Sequence, residues 1–401
     1  MDIKRVVKTP NISFHRILLN LEKSEGSYAY DENTGKKYLD FFGMYSSLPL
    51  GYNHPVFSSK EYIDDILRVS SLKVTNCEMA TPEFNRFVER FSNFSISRDF
   101  SCLHFSCTGA LAVENAIKTC IFHKKTKRDG EFLPLSFRNS FHGITSYGNF
   151  LTDRSGNVKN RLSGFYDLEW PKIFIEEVHE LESHLKSGKI ACVILEPIQC
   201  TFGDIEIPRK VLDRIRELTL AYDVPLIFDE VQTGFCSTGD VWYHNRLGWA
   251  PDLVVFGKKS QVSGFFANES FSQIFESQNA GRLCVTFDGD LTDMVRCYHI
   301  MGKIQENNFK ILENVKSFGI KIKEELMKIS QIKNVRGDGV LIGFDLDTRE
   351  KRDNFVQRLR ERGMICNTAA DRSIRMRPSL AVTNEDLNTA INIISESVDA
   401  I

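Results

Sequence analysis

The sequence lacks the features that define several large classes of protein. No apolar run in the 401 residues approaches the ~20 residues that a membrane-spanning helix needs, so we expect no membrane span. The start, MDIKRVVK, has no apolar stretch, so we expect no secretory signal. The net charge is only −2 and basic residues are spread along the chain, which argues against nucleic acid or an anionic membrane as a partner.

Paired cysteines and metal-ligand spacings are also missing. The ten cysteines are scattered without any CxxC pair, and several, such as Cys192, lie inside apolar runs. This pattern favours reduced thiols in a cytosol over a disulfide framework, so we predict a cytoplasmic protein without a metal site. A chain of this length with 42% hydrophobic residues and no internal repeat is typical of a globular protein of two or three domains.

Two short apolar runs end in functional side chains. The run 224–228 is followed by Asp229, and the run 253–256 by Gly257 and Lys258. Runs of this kind indicate buried strands of a parallel sheet, and ligands bind beyond the carboxyl ends of such strands. Asp229 and Lys258 should therefore share one crevice, as pyridoxal 5′-phosphate (PLP) requires: the lysine forms a Schiff base and the acid keeps the pyridine nitrogen protonated. The pair alone leaves a simple salt bridge open.

A third motif fits a phosphate. The predicted strand 102–105 runs through a Ser-Cys-Thr-Gly-Ala turn, residues 106–110, into an amphipathic helix whose apolar stripe begins at Val113. A turn of this composition at a helix N-terminus presents free backbone N–H groups, which suit a phosphate. An ordinary strand–helix turn is the alternative.

The order of elements predicts the fold class. Strands at 133–137 and 191–195 alternate with helices at 174–187 and 208–222, which is typical of an α/β fold with a large doubly wound, mostly parallel sheet. From residue 291 to about 330 the pattern predicts one long helical region.

We predict three parts of the chain. Residues 1–55 form an N-terminal segment that packs with the small domain, residues 56–297 form the large PLP-binding domain, and residues 298–401 form a smaller α+β domain. The hairpin expected at 26–42 belongs to the first part.

Five segments in order carry a family resemblance. They are 109–119 (GALAVENAIKT), 196–199 (EPIQ), 228–234 (FDEVQTG), 251–259 (PDLVVFGKK) and 291–296 (LTDMVR). With them the chain resembles the class III (omega) aminotransferases of PLP fold type I, the aspartate aminotransferase-like fold. Within that class it is most similar to L-lysine 6-aminotransferase, over nearly the whole chain.

The resemblance implies cofactor roles at matching positions. Lys258 matches the Schiff-base lysine, with Lys259 as the alternative that the spacing from Asp252 disfavours. Asp229 matches the aspartate under the pyridine nitrogen, and Gln232 matches the residue near the ring hydroxyl.

Further cofactor contacts follow by the same comparison. Gly109 and Ala110 match the phosphate turn, Phe141 matches the aromatic residue that stacks on the ring, and its neighbour His142 belongs to the same cofactor-binding segment. Thr286 matches a phosphate contact from the neighbouring subunit, which implies a homodimer with its active site at the subunit interface.

At the expected substrate-binding site, one residue matches the family and three differ from it. Arg375 matches the arginine that clamps the α-carboxylate of glutamate or 2-oxoglutarate, and Arg377 is the alternative. Ile144 replaces an arginine that helps to hold the lysine carboxylate. Thr201 replaces a glutamate that pairs with this arginine, so Arg375 should remain a cation without a carboxylate partner. Phe202 makes the site bulkier.

Acidic residues should also mark the entrance. Asp288 and Asp290 replace a stretch that is usually neutral in the family, and a basic or amine-bearing substrate would suit them. Ordinary solvated loop charges are the alternative.

The resemblance implies a PLP-dependent transaminase. It would move an amino group, the terminal amine of lysine or of a lysine-like substrate, to a keto acid such as 2-oxoglutarate by a ping-pong mechanism. Two alternatives stay open: a PLP enzyme of the same fold with another outcome, such as a racemase or decarboxylase, and a PLP-binding relative without catalysis.

Overall fold

The structure is a computed structural model, and it describes residues 17–153 and 170–398. In these ranges the strands are β1 (Leu19–Glu25), β2 (Tyr28–Asp31), β3 (Lys37–Asp40), β4 (Cys102–Ser106), β5 (Leu133–Phe137), β6 (Lys172–Ile173), β7 (Ile190–Leu195), β8 (Ile198–Gln199), β9 (Ile205–Glu206), β10 (Leu226–Asp229), β11 (Leu253–Phe256), β12 (Ser263–Ala267), β13 (Lys333–Asp338), β14 (Leu341–Asp345), β15 (Met364–Ile365), β16 (Asn367–Ala369) and β17 (Ser373–Met376). The α-helices are α1 (Gly43–Ser46), α2 (Lys60–Ser70), α3 (Pro82–Ser95), α4 (Gly109–Lys127), α5 (Ser146–Leu151), α6 (Leu181–Lys186), α7 (Arg209–Ala221), α8 (Ser272–Phe275), α9 (Ser277–Ala280), α10 (Leu291–Met327), α11 (Arg349–Glu361) and α12 (Asn384–Val398).

The largest sheet has seven strands in the order β4-β12-β11-β10-β7-β5-β6. Only β12 is antiparallel to its neighbours in this sheet. Every residue of β7, β10 and β11 is buried, because helices cover both faces of a parallel sheet and leave no polar face on its strands. The prediction of an α/β fold with a mostly parallel sheet is confirmed.

Besides the two-stranded sheet β8-β9, two smaller four-stranded sheets complete the framework of the described residues. One has the order β13-β14-β17-β16, and the other has the order β1-β2-β3-β15. In the second, Met364 of β15 pairs in parallel with Leu39 of β3, so the N-terminal hairpin shares a sheet with a strand from the C-terminal part. The predicted division at residues 297 and 298 falls inside helix α10, and the three-part division stays a prediction.

Most predicted helices are present, but two differ in detail. The region 174–187 contains a 3₁₀-helix, Ile175–Glu180, before α6. The long helix α10 is broken at Glu306, because the next three residues have φ between 50° and 61°, outside the right-handed helical region. The sequence pattern did not reveal this kink, since both halves carry the same apolar periodicity.

Aromatic side chains fill much of the core behind the large sheet. Phe91 and Phe256 lie 5.1 Å apart between ring centroids, and the Trp242 ring packs 5.3 Å from Phe266. In the described ranges no helix combines the length and apolar character needed to cross a membrane. All ten cysteines lie in these ranges and are free thiols.

Candidate active site

The parallel pairing of β10 and β11 places Asp229 and Lys258 at one end of the sheet. Asp229 ends β10 and pairs with Val255 of β11, and Lys258 follows β11 after Gly257. Lys258 has a φ of 55°, a left-handed conformation that is costly for a side chain other than glycine and is concentrated at functional sites. The predicted adjacency of the two strand ends is therefore confirmed.

Lys258 and Lys259 point into different surroundings. Lys258 lines the crevice, and burial, with a smaller effect of the Arg375 cation, lowers its pKa to about 8. The Lys259 side chain is only 1% exposed, and its Nζ lies 3.4 Å from the backbone oxygens of both Leu48 and Pro378. Lys258 is thus the lysine that the fold presents to a ligand.

Asp229 is held by a histidine. Its Oδ2 lies 2.8 Å from His142 Nδ1, and its Oδ1 accepts a hydrogen bond from the backbone N–H of Val231 at 3.2 Å. Burial, and secondarily the negative charge of Asp229, raise the pKa of nearby Glu196 well above its usual range. Glu196 accepts the Phe141 backbone N–H at 2.7 Å, so both carboxyl groups of this crevice have a hydrogen-bond partner.

The phosphate turn predicted from the sequence closes the same crevice. Helix α4 begins at Gly109, with the Thr108 hydroxyl accepting the N–H of Leu111 at 3.3 Å. Gly143 has a φ of +105°, and a Cβ at this position would lie 3.1 Å from the Cβ of Ala110. The glycine therefore allows both the local conformation and the close approach of two chain segments at the helix N-terminus.

These residues enclose a cavity of about 220 Å³. Its lining residues are Gly109, Ala110, Val113, Phe141, His142, Gly143, Ile144, Glu196, Asp229, Val231, Gln232 and Lys258. The cavity thus offers a helix N-terminus for a phosphate, an aromatic side chain, a carboxylate for a ring nitrogen and an amine of lowered pKa. These are the groups that PLP needs, and the donor set fits it.

A larger cavity of about 990 Å³ continues from Lys258 to Arg375. Thr201 and Phe202 form part of its wall, together with Tyr45. Arg375 donates from Nη1 to the backbone oxygen of Cys200 at 3.3 Å. In the described ranges no carboxylate lies within ion-pair distance of it, consistent with the cation without a carboxylate partner expected from Thr201.

The alternative clamp, Arg377, is fully committed elsewhere. Its guanidinium is 1% exposed and makes a bidentate ion pair with Asp204, with Nη1 at 3.0 Å from Oδ2. Its Nε donates to Gln232 Oε1 at 3.2 Å. Arg375, rather than Arg377, therefore faces the cavity.

Two predicted residues lie at the edge of the site or beyond it. Ile144 is 53% exposed at the rim of the smaller cavity. Thr286 is exposed in the loop after Leu283 and is not among the residues that the chain gathers around the two cavities. Its predicted contact concerns a neighbouring subunit and stays a prediction.

In the described ranges neither Asp288 nor Asp290 lines the two cavities, and the predicted acidic entrance stays a prediction. Asp288 is 5% exposed and accepts the backbone N–H of Val285 at 2.9 Å. Asp290 caps helix α10 through the N–H of Thr292 at 2.8 Å and pairs with Lys73 at 3.2 Å. Both carboxylates hold loops, because their acceptor oxygens satisfy nearby N–H groups.

Three residues were missed or left without a role by the sequence. The contact of His142 with Asp229 joins residues 87 positions apart, and Asp204 lies far from Arg377 in the chain. Glu196 had a usable signal, since it is a carboxylate directly after strand β7 in the EPIQ segment.

Comparison with known proteins identifies the family. The family model Aminotransferase class-III matches residues 11–398. The L-lysine-epsilon aminotransferase of Mycobacterium tuberculosis is 30% identical over 96% of this chain and 92% of its own length. The 4-aminobutyrate aminotransferase of Dictyostelium discoideum is 27% identical over 99% of this chain and 88% of its own. The structure of M. tuberculosis lysine aminotransferase in the internal aldimine form has a TM-score of 0.91 and 28% identity, covering 98% of this chain and 97% of that one. The chain belongs to the class III aminotransferases, PLP-dependent transaminases of fold type I.

Proposed function

We propose that the protein moves the terminal amino group of lysine, or of a lysine-like amine, to a keto acid such as 2-oxoglutarate by a ping-pong mechanism. The observation that carries the proposal is the single cavity that joins Lys258 to Arg375. It offers an amine for the reacting end of a substrate and a guanidinium for its carboxylate. The similarity to L-lysine-epsilon aminotransferases supports a terminal amine as the donor group.

The roles of the cofactor-side residues follow from their contacts. PLP, when bound, supplies an aldehyde to carry the amino group and a ring that withdraws electrons from the adjacent carbon. Asp229, which lies 2.8 Å from His142 Nδ1, would hold a proton on the ring nitrogen. Gln232, oriented by Arg377 through a 3.2 Å hydrogen bond, would contact the ring hydroxyl. Backbone N–H groups of Gly109 and Ala110 would bind the phosphate.

Lys258 serves both as anchor and as base. Its amine would attach the cofactor, and once released and neutral it would move a proton from the carbon that bears the substrate amine. The pKa of about 8, set mainly by burial, favours the neutral amine more than the ordinary lysine pKa does. Phe141, which lines the same cavity, would pack against the ring and help to exclude water from the reacting carbon.

Three residues at the substrate-binding site differ from the family, and these differences affect which amine can act as the donor. Ile144 cannot pair with a carboxylate, Phe202 narrows the wall, and Thr201 cannot neutralise Arg375. We therefore include lysine-like amines, whose carboxylate is absent or lies in a different place, among the donors. The acceptor is a keto acid whose carboxylate pairs with Arg375.

A donor panel tests this proposal. The holoenzyme is incubated with 2-oxoglutarate and, separately, lysine, ornithine, 4-aminobutyrate and simple diamines, and glutamate formation is measured. We expect glutamate with at least one terminal amine, and parallel lines in double-reciprocal plots. Formation of a racemised or decarboxylated product without glutamate would instead assign another reaction to this fold.

We also propose a homodimer in which Thr286 reaches the phosphate of the partner's cofactor, in a cytoplasmic protein. Exposed Val285 and Phe287 flank Thr286, and the loop packs on Cys77, whose Sγ lies 3.9 Å from the Val285 oxygen. Exposed apolar residues of this kind suit a surface covered by a second copy. Light scattering should give twice the mass of one chain, and Thr286→Ala should weaken PLP retention without dissociating the dimer.

A further inference from the structure

A second polar side chain faces the same region of the large cavity as Arg375. Strands β16 and β17 are antiparallel, and Asn367 is directly opposite Arg375 in their register. Side chains of opposed residues project from the same face, with Cβ atoms ~4.5–5.5 Å apart. Asn367 and Arg375 both line the cavity of about 990 Å³ that begins at Lys258.

Both side chains hold buried N–H groups that lack an acceptor. Within the ranges that the structure describes, neither Arg375 Nε nor Asn367 Nδ2 has a hydrogen-bond partner. Leaving such donors unpaired in a folded protein is unfavourable, and almost all buried polar groups have partners. Two neighbouring donors that face one cavity therefore indicate an acceptor supplied by a ligand.

In the described ranges the carboxylates that line or adjoin this cavity already have partners. Asp153 accepts the backbone N–H of Asn139 at 3.3 Å, and Asp353 accepts from Arg352 Nη2 at 2.6 Å. Asp204 is bound to Arg377, and Glu196 accepts the backbone N–H of Phe141 at 2.7 Å. Gly343, which pairs with Arg375 from β14, has no side chain, and a Cβ there would lie 2.9 Å from the Gly203 oxygen. The acceptor must come from outside the described chain, and it must carry negative charge to balance the guanidinium.

We propose that Asn367 and Arg375 together form a two-point binding site for a substrate carboxylate, and that Asn367 is a specificity-determining residue. The guanidinium supplies charge and the amide supplies a second hydrogen bond. Because the clamp has no counter-ion of its own, the site favours substrates with a carboxylate in both half-reactions, amino acids as donors and keto acids as acceptors, over simple diamines. The half-reactions themselves rest on the proposed function; the carboxylate site does not.

Binding of glutarate, a dicarboxylate that cannot react, tests the site directly on the holoenzyme. Calorimetry should show weaker glutarate binding by about tenfold to a hundredfold in Asn367→Leu, as expected for loss of a hydrogen bond to a charged group. Asn367→Asp should bind more weakly still, because its carboxylate pairs with Arg375. Asn367→Ser, which keeps a donor, should lie between Asn367→Leu and wild type. The KM for 2-oxoglutarate should follow the same order while kcat changes little.

Asn392→Ala is the matched control, since Asn392 is exposed on helix α12. It should leave glutarate binding unchanged, and the visible spectrum of each variant reports whether the cofactor crevice is intact. Wild-type affinity for glutarate in Asn367→Leu, or no glutarate binding in the wild type, would overturn the proposal. If no donor yields glutamate but glutarate binding still depends on Asn367, the proposed reaction is wrong and the carboxylate site stands.

Discussion

Arg375 of strand β17 and Arg377, directly after that strand, have contrasting surroundings. Arg377 is closed in by a bidentate ion pair with Asp204, and although burial alone would lower its pKa, that carboxylate raises it. Among the described residues Arg375 has a backbone oxygen as its hydrogen-bond partner, and burial together with the Arg377 cation lowers its pKa. Two arginines only two positions apart thus differ: Arg377 is held in a buried ion pair, and Arg375 lines a cavity.

The adjacent lysines repeat this contrast at the cofactor. Lys259 is packed between backbone oxygens of two chain segments, whereas Lys258 lines the crevice in a left-handed conformation. In both pairs one residue is held by contacts with the surrounding protein, and its neighbour lines a cavity. Four experiments, described from the largest expected effect to the smallest, test this contrast.

The largest effect should come from Lys258→Ala. It removes both the anchor and the base, so kcat/KM should fall by at least ~10⁴-fold, the upper range for loss of general acid–base catalysis. The absorption band of the covalently held cofactor near ~420 nm should also disappear. Lys259→Met is the control, and it should keep the band. A band that survives Lys258→Ala and is lost with a substitution at Lys259 would reverse the assignment.

Asp204→Asn tests whether the ion pair between Asp204 and Arg377 stabilises the fold. It leaves the Arg377 charge buried without a counter-ion, which costs about 3–5 kcal/mol of stability. Urea unfolding followed by circular dichroism measures the loss. The matched control is Asp223→Asn, which removes an exposed ion pair with Lys127 and should cost about 0–1 kcal/mol. Equal midpoints for the two variants would show that the Asp204 pair does not stabilise the fold.

Thr201→Glu should give Arg375 a carboxylate partner, as Arg377 already has. A carboxylate next to Cys200, whose backbone oxygen accepts from Arg375, would pair with the guanidinium and compete with the keto acid. The KM for 2-oxoglutarate should rise about tenfold, the effect of one charged hydrogen bond. Thr201→Gln, similar in size but neutral, should change KM little. A rise of equal size in both variants would point to crowding instead of charge.

The smallest effect concerns pH. Only the neutral amine of Lys258 reacts with an aldehyde, so the rate at which apoenzyme takes up PLP should rise with pH, with a midpoint near the pKa of about 8. The Arg375 cation disfavours protonation of Lys258, so Arg375→Leu should move this midpoint to higher pH. Stopped-flow absorbance measures the rate. A midpoint that stays constant, or falls, would mean that the Arg375 charge does not lower the Lys258 pKa.

Much of the fold and the cofactor crevice could be predicted from local pattern. Apolar runs closed by charge located β10 and β11, and the Ser/Thr/Gly turn before α4 located the helix N-terminus at Gly109. Such features depend on a few consecutive residues, so they are legible in one sequence. The kink of α10 at Glu306 was not predicted, and neither were the contacts that hold Asp288 and Asp290. Lys73 reaches Asp290 from a distant part of the chain, which a local pattern cannot show.

The sequence by itself determined which side chains follow the ends of the strands. It thereby determined that Asp229 and Lys258 lie in the same crevice. Only the tertiary structure decided which of two neighbouring arginines lines the cavity, because Asp204 reaches Arg377 from a loop 173 positions away. It also placed Asn367 opposite Arg375, since the register of β16 on β17 is set by long-range pairing. Burial and partner choice are properties of the folded chain, and they decide whether a charged residue supports the structure or meets the substrate.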